Sequence, residues 1–141
     1  MNKSQQKKSI ISLFSLATAG LLFSGYLSAI KLFSGTCAFN ESCPYFLGFP
    51  ACWYGFTMYA VMFIVTGTAL IRRTDIKKII LTDIFVSFLG ILFAGRFVVI
   101  EFIQSRITGT LGFSTCVYGL IFYIAIFIFA CVSYKRLKRT L

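Results

Sequence analysis

The chain has 141 residues, of which 58% are hydrophobic and 18% aromatic, whereas only 13% carry a charge. A water-soluble domain has about twice that share of charged residues and cannot bury so much apolar surface. The composition and the mean hydropathy of +0.87 therefore exclude a soluble globular domain and predict one integral membrane domain, because lipid can cover the outside of a helical bundle.

Four apolar segments follow one another along the chain, and each is close to the ~20 residues that a helix needs to cross a bilayer. They cover about residues 10–33, 53–71, 79–103 and 116–134. Strict alternation of polar and apolar residues, the pattern of a membrane barrel, is absent. We therefore predict an all-α, four-transmembrane-helix bundle with an outer loop at 34–52 and basic tails at 1–9 and 135–141. No internal repeat is evident.

The net charge of +10 comes mainly from basic residues that flank the apolar segments. The two tails and the link between the second and third segments contain Lys3, Lys7, Lys8, Arg72, Arg73, Lys77, Lys78, Lys135, Arg136, Lys138 and Arg139. The 34–52 loop has no Lys or Arg, and the connection after the third segment has only Arg106. The positive-inside rule then predicts a multi-pass protein of the cell membrane, with both termini cytoplasmic and the 34–52 loop extracytoplasmic. The same charges indicate contact with anionic membrane lipid and not with nucleic acid.

Five cysteines and no histidine restrict the possible chemistry. Cys37, Cys43 and Cys52 lie in the outer loop or at its edge, and Cys116 begins the fourth segment on the same side. Cys131 is 15 residues further on, about 22 Å along a helix, which is too far for a bond to the others. Four cysteines on the oxidising side allow two disulfides in three connectivities. They are either structural staples or a thiol-disulfide exchange relay, and a metal site is not predicted.

Three charged residues of the third segment are predicted to lie in the membrane. Arg96 is in its outer half, Glu101 follows five residues later, and Asp83 is near its inner end. A charge inside a bilayer faces a partner, a cavity or the headgroups. Arg96 is therefore a candidate for orienting an acidic or carbonyl ligand, with outward snorkelling to headgroups as the alternative. Asp83 is predicted to pair with the basic link at 72–78.

Several motifs occur in a consistent order along the chain. Residues 24–28 (SGYLS) contain an S-x-Y pattern, and residues 48–59 (GFPACWYGFTMY) contain G-x-P, then a glycine, then a tyrosine four residues later. The 97–102 stretch (FVVIEF) precedes a short loop, after which Cys116 is followed by Tyr123 in place of a C-x-x-C-x-x-x-Y motif. In order and spacing, these motifs resemble those of the vitamin K epoxide reductase family.

The resemblance covers about residues 20–130 and implies a four-helix bundle around a quinone of the ubiquinone, menaquinone or vitamin K type. In that family, a loop cysteine pair exchanges with a thioredoxin-like protein and passes electrons to a C-x-x-C pair beside the quinone. By position, Cys37 and Cys43 match the loop pair, and Cys116 matches the first cysteine of the motif. Tyr123 matches the tyrosine that contacts the quinone. A thioredoxin-like extracytoplasmic partner is expected to act in trans.

The chain departs from the family pattern at several points, two of which concern its cysteines. Gly119 stands where the second motif cysteine is expected, whereas Cys52 is an additional cysteine at the start of the second segment. We therefore hypothesise that a Cys52–Cys116 disulfide replaces the C-x-x-C bond. Tyr59 and Arg96 complete the predicted quinone site.

Two functions follow as predictions. The first is a membrane thiol-disulfide oxidoreductase that passes electrons from an extracytoplasmic thiol partner to a quinone. The alternative is a diverged, non-catalytic protein of the same fold, with structural disulfides, that binds quinone, lipid or a protein partner. The reducibility of the disulfides separates these two functions, since shuttling disulfides equilibrate with a thiol buffer and structural ones resist it.

Overall fold

Four long helices make up most of the chain. The computed structural model describes residues 3–35, 45–72, 75–108 and 115–139. The helices are α1 (Lys3–Ser34), α2 (Ala51–Ile71), α3 (Ile76–Thr108) and α4 (Thr115–Arg139). Each contains one predicted apolar segment, and each is long and apolar enough to cross a membrane. The predicted all-α bundle of four apolar helices is confirmed.

The basic residues beside the apolar segments continue the helices. α1 begins at Lys3 and α4 ends at Arg139. Lysine, arginine and glutamine are good helix formers, and a helix that is already nucleated extends through them readily. The start of α1, the end of α4 and the α2–α3 link lie at the same end of the bundle, which we call the basic end.

The helices bury a narrow core and leave a broad apolar surface on the outside. The core includes Leu13, Tyr59, Met62, Ile80 and Ile126. Large apolar side chains remain exposed on every helix, among them Leu22, Ile64, Phe85, Leu92 and Ile128. Water does not tolerate so continuous an apolar surface, whereas the hydrocarbon interior of a bilayer does.

The second half of the chain repeats the first. Residues 47–59 read LGFPACWYGFTMY and residues 111–123 read LGFSTCVYGLIFY, so that seven of 13 positions are identical. GLLFSG at 20–25 likewise matches GILFAG at 90–95. The expectation of no internal repeat is therefore wrong. The repeat is hard to find because its spacing changes from 70 residues in α1 and α3 to 64 in α2 and α4.

The packing of the helices follows the repeat. α1 packs mainly on α2, and α3 mainly on α4, so that each repeat is one pair of antiparallel helices. The two pairs run in the same direction, as in parallel repeats related by an axis along the membrane normal. Gly20 of α1 lies against the ring of Tyr59, and the matching Gly90 of α3 lies against the ring of Tyr123. The bundle therefore has an approximate two-fold axis.

Alanine at either matched glycine is expected to destabilise the bundle. A Cβ atom at Gly20 or Gly90 would lie 2.4 Å from the facing tyrosine ring. Overpacking of this kind costs about 1–3 kcal/mol, so the thermal midpoints of Gly20→Ala and Gly90→Ala in detergent should both fall. Gly95→Ala is the control, because a Cβ there meets no atom within 4 Å. Equal midpoints for the Gly90 and Gly95 variants would contradict this packing.

A short β-hairpin precedes α2 and marks the other end of the bundle, the β-hairpin end. Its strands, β1 (Tyr45–Phe46) and β2 (Phe49–Pro50), pair antiparallel. Leu47 and Gly48 form the two-residue turn with positive φ angles of 52° and 85°. Such a turn matches the twist of the strands, and glycine adopts it without steric strain. Pro50 then leads directly into α2.

The surroundings of Asp83 differ from the predicted pairing with the basic link at 72–78. Its side chain is fully buried in the bundle, and within the described residues neither carboxyl oxygen has a hydrogen-bond partner. Lys78 pairs instead with Asp75, at 3.2 Å. The predicted pairing of Asp83 with the basic link is therefore wrong. Neighbours on a helix are three or four residues apart, whereas Lys78 is five residues from Asp83 and on another face.

Candidate functional site

A cavity lies between the four helices at the β-hairpin end. Cys52 and Cys116 line it, each as the second residue of its helix, α2 or α4. Gly55 and Gly119 line it about one turn deeper, and a pair of tyrosines lines it one further turn down. These residues are matched positions of the repeat, so the two halves of the chain contribute equally to the cavity.

The other residues that line the cavity, most of them from α1 and α3, also occupy matched positions of the repeat. Phe23 matches Phe93, and Leu27 matches Phe97. The two remaining pairs that line the cavity are Ser24 with Ala94 and Ala51 with Thr115. All seven pairs are repeat-related, so the cavity lies on the approximate two-fold axis. Ser24 and Phe97 are predicted only as motif residues, and the other cavity residues of α1 and α3 are missed, although the GLLFSG and GILFAG match marks their position.

The cavity is small and mainly apolar. The centre of a water molecule can reach about 70 Å³ of it. One water needs roughly 10–15 Å³ by this measure, so there is room for several waters or for part of a flat ring. Apolar and aromatic walls with a few polar groups are typical of small-molecule sites.

Tyr59 and Tyr123 form a reciprocal clasp at the floor of the cavity. The Tyr59 hydroxyl donates to the carbonyl oxygen of Gly119 at 2.8 Å, and the Tyr123 hydroxyl donates to that of Gly55 at 3.2 Å. The two rings stack with centroids 4.4 Å apart and planes 10° apart. Each hydroxyl has one proton to donate, and the clasp uses both. A ligand carbonyl can receive a hydrogen bond from either tyrosine only after a bond of the clasp breaks.

The glycines beside the clasp leave open space towards the cavity. A Cβ atom at Gly119 would meet nothing within 4 Å, and one at Gly55 would meet only the Tyr123 hydroxyl oxygen, at 3.8 Å. Packing therefore does not require glycine at position 119, where the family motif has its second cysteine.

The two cysteines share the cavity, but the structure does not join them. Cys52 is a free thiol, and its carbonyl oxygen accepts a hydrogen bond from the Ser28 hydroxyl at 3.4 Å. The Cys52–Cys116 disulfide therefore stays a hypothesis. Cys37 and Cys43 lie outside the described residues, so their predicted role as a loop pair is untested.

Aromatic contacts tie the β-hairpin to one side of the cavity. The ring of Phe46 packs edge-on against Tyr54 and Phe93, with centroids 5.6 and 5.5 Å away. The Tyr54 hydroxyl also donates to the carbonyl oxygen of Phe46 at 3.1 Å. Tyr54 contacts Phe93 in one half, and the matching Tyr118 contacts Phe23 in the other. The β-hairpin thus covers a wall that is itself part of the repeat.

Arg96 lies apart from this site. Its side chain is exposed on α3 and does not line the cavity. The matching position in α1 is Tyr26, which is also exposed. Of the residues predicted for the quinone site, the structure therefore brings together Tyr59, Tyr123 and the two cysteines of the helix ends, but not Arg96.

Neither a metal site in the described part of the chain nor a known relative helps to identify the chemistry of this cavity. Within the described residues, no group of three or more His, Cys, Asp or Glu side chains is placed to hold a metal ion. Comparisons of the chain with protein-family models, with curated proteins and with solved structures found no match.

Proposed function

We propose that this chain is a membrane thiol-disulfide oxidoreductase of the vitamin K epoxide reductase type, with Cys52 and Cys116 as its central redox pair. The observation that carries the proposal is that both cysteines line one cavity, at matched positions of the repeat, above the stacked pair of Tyr59 and Tyr123. In the family motif one helix supplies both cysteines. Here each half of the chain supplies one, which accounts for glycine at both 55 and 119.

The proposed reaction begins at the loop cysteines. A thioredoxin-like extracytoplasmic protein gives two electrons and two protons to the Cys37–Cys43 disulfide by thiol-disulfide exchange. The resulting thiols reduce the Cys52–Cys116 disulfide through a mixed disulfide, with the direction set by the reduction potentials. The Cys52 and Cys116 thiols then give two electrons and two protons to a quinone as their disulfide re-forms. Overall, the partner dithiol becomes a disulfide and the quinone becomes a quinol.

The character of the cavity fits a quinone. Phe23 and Phe93 provide aromatic walls for a flat ring, and Ser24 and Thr115 are polar groups among the apolar ones. When bound, the quinone would accept the two electrons from the thiols. The Phe23 and Phe93 side chains would hold the part of the ring that enters the cavity. Arg96 has no part in this proposal.

The proposed orientation follows the charges. In this orientation the β-hairpin end, with Cys52 and Cys116, faces the extracytoplasmic side, whereas the basic end faces the cytoplasm. Disulfide exchange then takes place on the oxidising side of the membrane.

Disulfide mapping by mass spectrometry on acid-quenched protein in detergent tests the proposal. We expect a Cys52–Cys116 cross-linked peptide that disappears in a mild dithiol buffer and re-forms when a short-chain quinone is added. Cys131 provides an internal control, since it should be alkylated in every state. Alkylation of Cys116 in every state would contradict the proposal and favour the diverged, non-catalytic alternative.

Cysteine at position 119 is expected to restore part of the function when Cys52 is absent. Gly119→Cys places a second thiol one helical turn after Cys116, as in a C-x-x-C motif, in space that a Cβ can enter freely. The double variant Cys52→Ser/Gly119→Cys should therefore turn over faster than Cys52→Ser alone in a quinone-dependent thiol oxidation assay. Gly119→Ser on the same background fills the same space without a thiol. Equal rates for these two double variants would show that position 119 cannot replace Cys52.

A further inference from the structure

A second pocket lies at the basic end, far from Cys52 and Cys116. It is a groove where the first turns of α1, the last turn of α2 and the first residue of α3 meet. The centre of a water molecule can reach about 530 Å³ of it, far more than in the cavity between the helices. Nothing in the proposed redox reaction uses this groove.

One side of the groove is strongly positive. Lys3, Lys7 and Arg72 line it together with Gln6, and no acidic residue is among the lining side chains. The nearby Asp75 is paired with Lys78 at 3.2 Å and lies outside the lining. Three cations in one groove attract an anionic ligand.

The other side of the groove is apolar. Ile10 is buried at its base, whereas Leu70 and Ile71 are 40% and 86% exposed in the last turn of α2. Residue 71 is the last residue of this candidate membrane span, so the apolar side begins where the hydrocarbon region of a bilayer would end. A ligand that satisfies both sides carries a negative charge on an apolar body.

We propose that this groove binds an anionic phospholipid, with the headgroup phosphate between Lys3, Lys7 and Arg72 and the acyl chains along Leu70 and Ile71. Basic pockets between transmembrane helices at a membrane surface bind such headgroups. The inference is independent of the proposed redox function, since it uses no residue of the cavity. It assigns a lipid to one defined position on the bundle, beyond the general attraction of basic ends for an anionic surface.

Native mass spectrometry of the full chain tests this site. The protein is titrated in detergent with phosphatidylglycerol, with phosphatidylcholine, and with inorganic phosphate as a competitor. We expect phosphatidylglycerol to bind and phosphatidylcholine to bind much more weakly. The double variant Lys3→Gln/Lys7→Gln should weaken phosphatidylglycerol binding by roughly 30-fold, because two cations near the headgroup are lost.

The matched control is Lys138→Gln/Arg139→Gln, which removes the same charge from the exposed end of α4, outside the groove. It should bind phosphatidylglycerol as the wild type does, and both double variants should keep the wild-type thermal midpoint. Equal weakening in the two double variants would overturn the site in favour of general surface charge. Displacement of the lipid by millimolar phosphate would overturn the lipid as the ligand in favour of a free anion.

Discussion

Serine at either Cys52 or Cys116 is expected to reduce quinone-dependent thiol oxidation at least about 100-fold, as losses of a nucleophile commonly do. The two substitutions should have similar effects, because the two cysteines occupy matched positions at one cavity. Removal of either one prevents the proposed disulfide, and the remaining thiol cannot deliver two electrons with disulfide formation. The measurement is the loss of quinone absorbance with a dithiol donor, for protein reconstituted in nanodiscs.

Cys131→Ser is the control for this prediction. Cys131 lies 15 residues beyond Cys116 on α4 and does not line the cavity. Its replacement should leave both the turnover and the thermal midpoint unchanged. Full turnover by Cys52→Ser would rule out the Cys52–Cys116 disulfide as the redox centre, even if Cys116→Ser is inactive.

Alanine at either Tyr59 or Tyr123 is expected to lower the free energy of unfolding by about 3–5 kcal/mol, the range for removal of a large buried aromatic side chain. Both side chains are almost fully buried. Each substitution removes the ring stacking and one hydrogen bond between α2 and α4. The matching phenylalanine variants keep the stacking and lose only a hydrogen bond, which contributes about 1 kcal/mol. Reversible unfolding in mixed detergent measures both series.

The two tyrosines should also be coupled. The double variant Tyr59→Ala/Tyr123→Ala should be destabilised by less than the sum of the single variants, because the ring contact can be lost only once. The approximate two-fold symmetry adds a condition, since Tyr59→Phe and Tyr123→Phe should have similar effects. Additive effects, or a large effect of only one phenylalanine variant, would contradict a reciprocal clasp.

The hydropathy pattern predicts the four helices. Because Cys52 and Cys116 stand at the starts of the second and fourth segments, it also predicts that they lie on the same side of the bundle. It could not predict how each helix is rotated about its axis, because nearly every face of these helices is apolar. Phe23 and Phe93 were therefore missed, and Arg96 was assigned to a site that it does not line. In a membrane bundle, small residues select the packed face, since they let neighbouring helices approach closely.

Gly20 and Gly90 are the small residues that mark the packed faces of α1 and α3 in the sequence. Each is the first residue of a matched GLLFSG or GILFAG stretch, and each receives a tyrosine ring. Asp83 is a second example of a residue whose helix face could not be predicted from hydropathy. Its charge suggested a place beside the basic link, whereas its helical position turns it into the core.

The repeat makes the single chain comparable to a symmetric dimer. Two identical helix pairs related by this axis would form an isologous dimer, in which each cysteine lies opposite its own copy. In one chain, each half can contain residues that the other lacks. The first half has a loop six residues longer, and that loop contains both Cys37 and Cys43. The second half has Asp83 where the first has Leu13. The two halves thus share the positions that line the cavity, whereas the longer loop and the buried Asp83 occur in one half only.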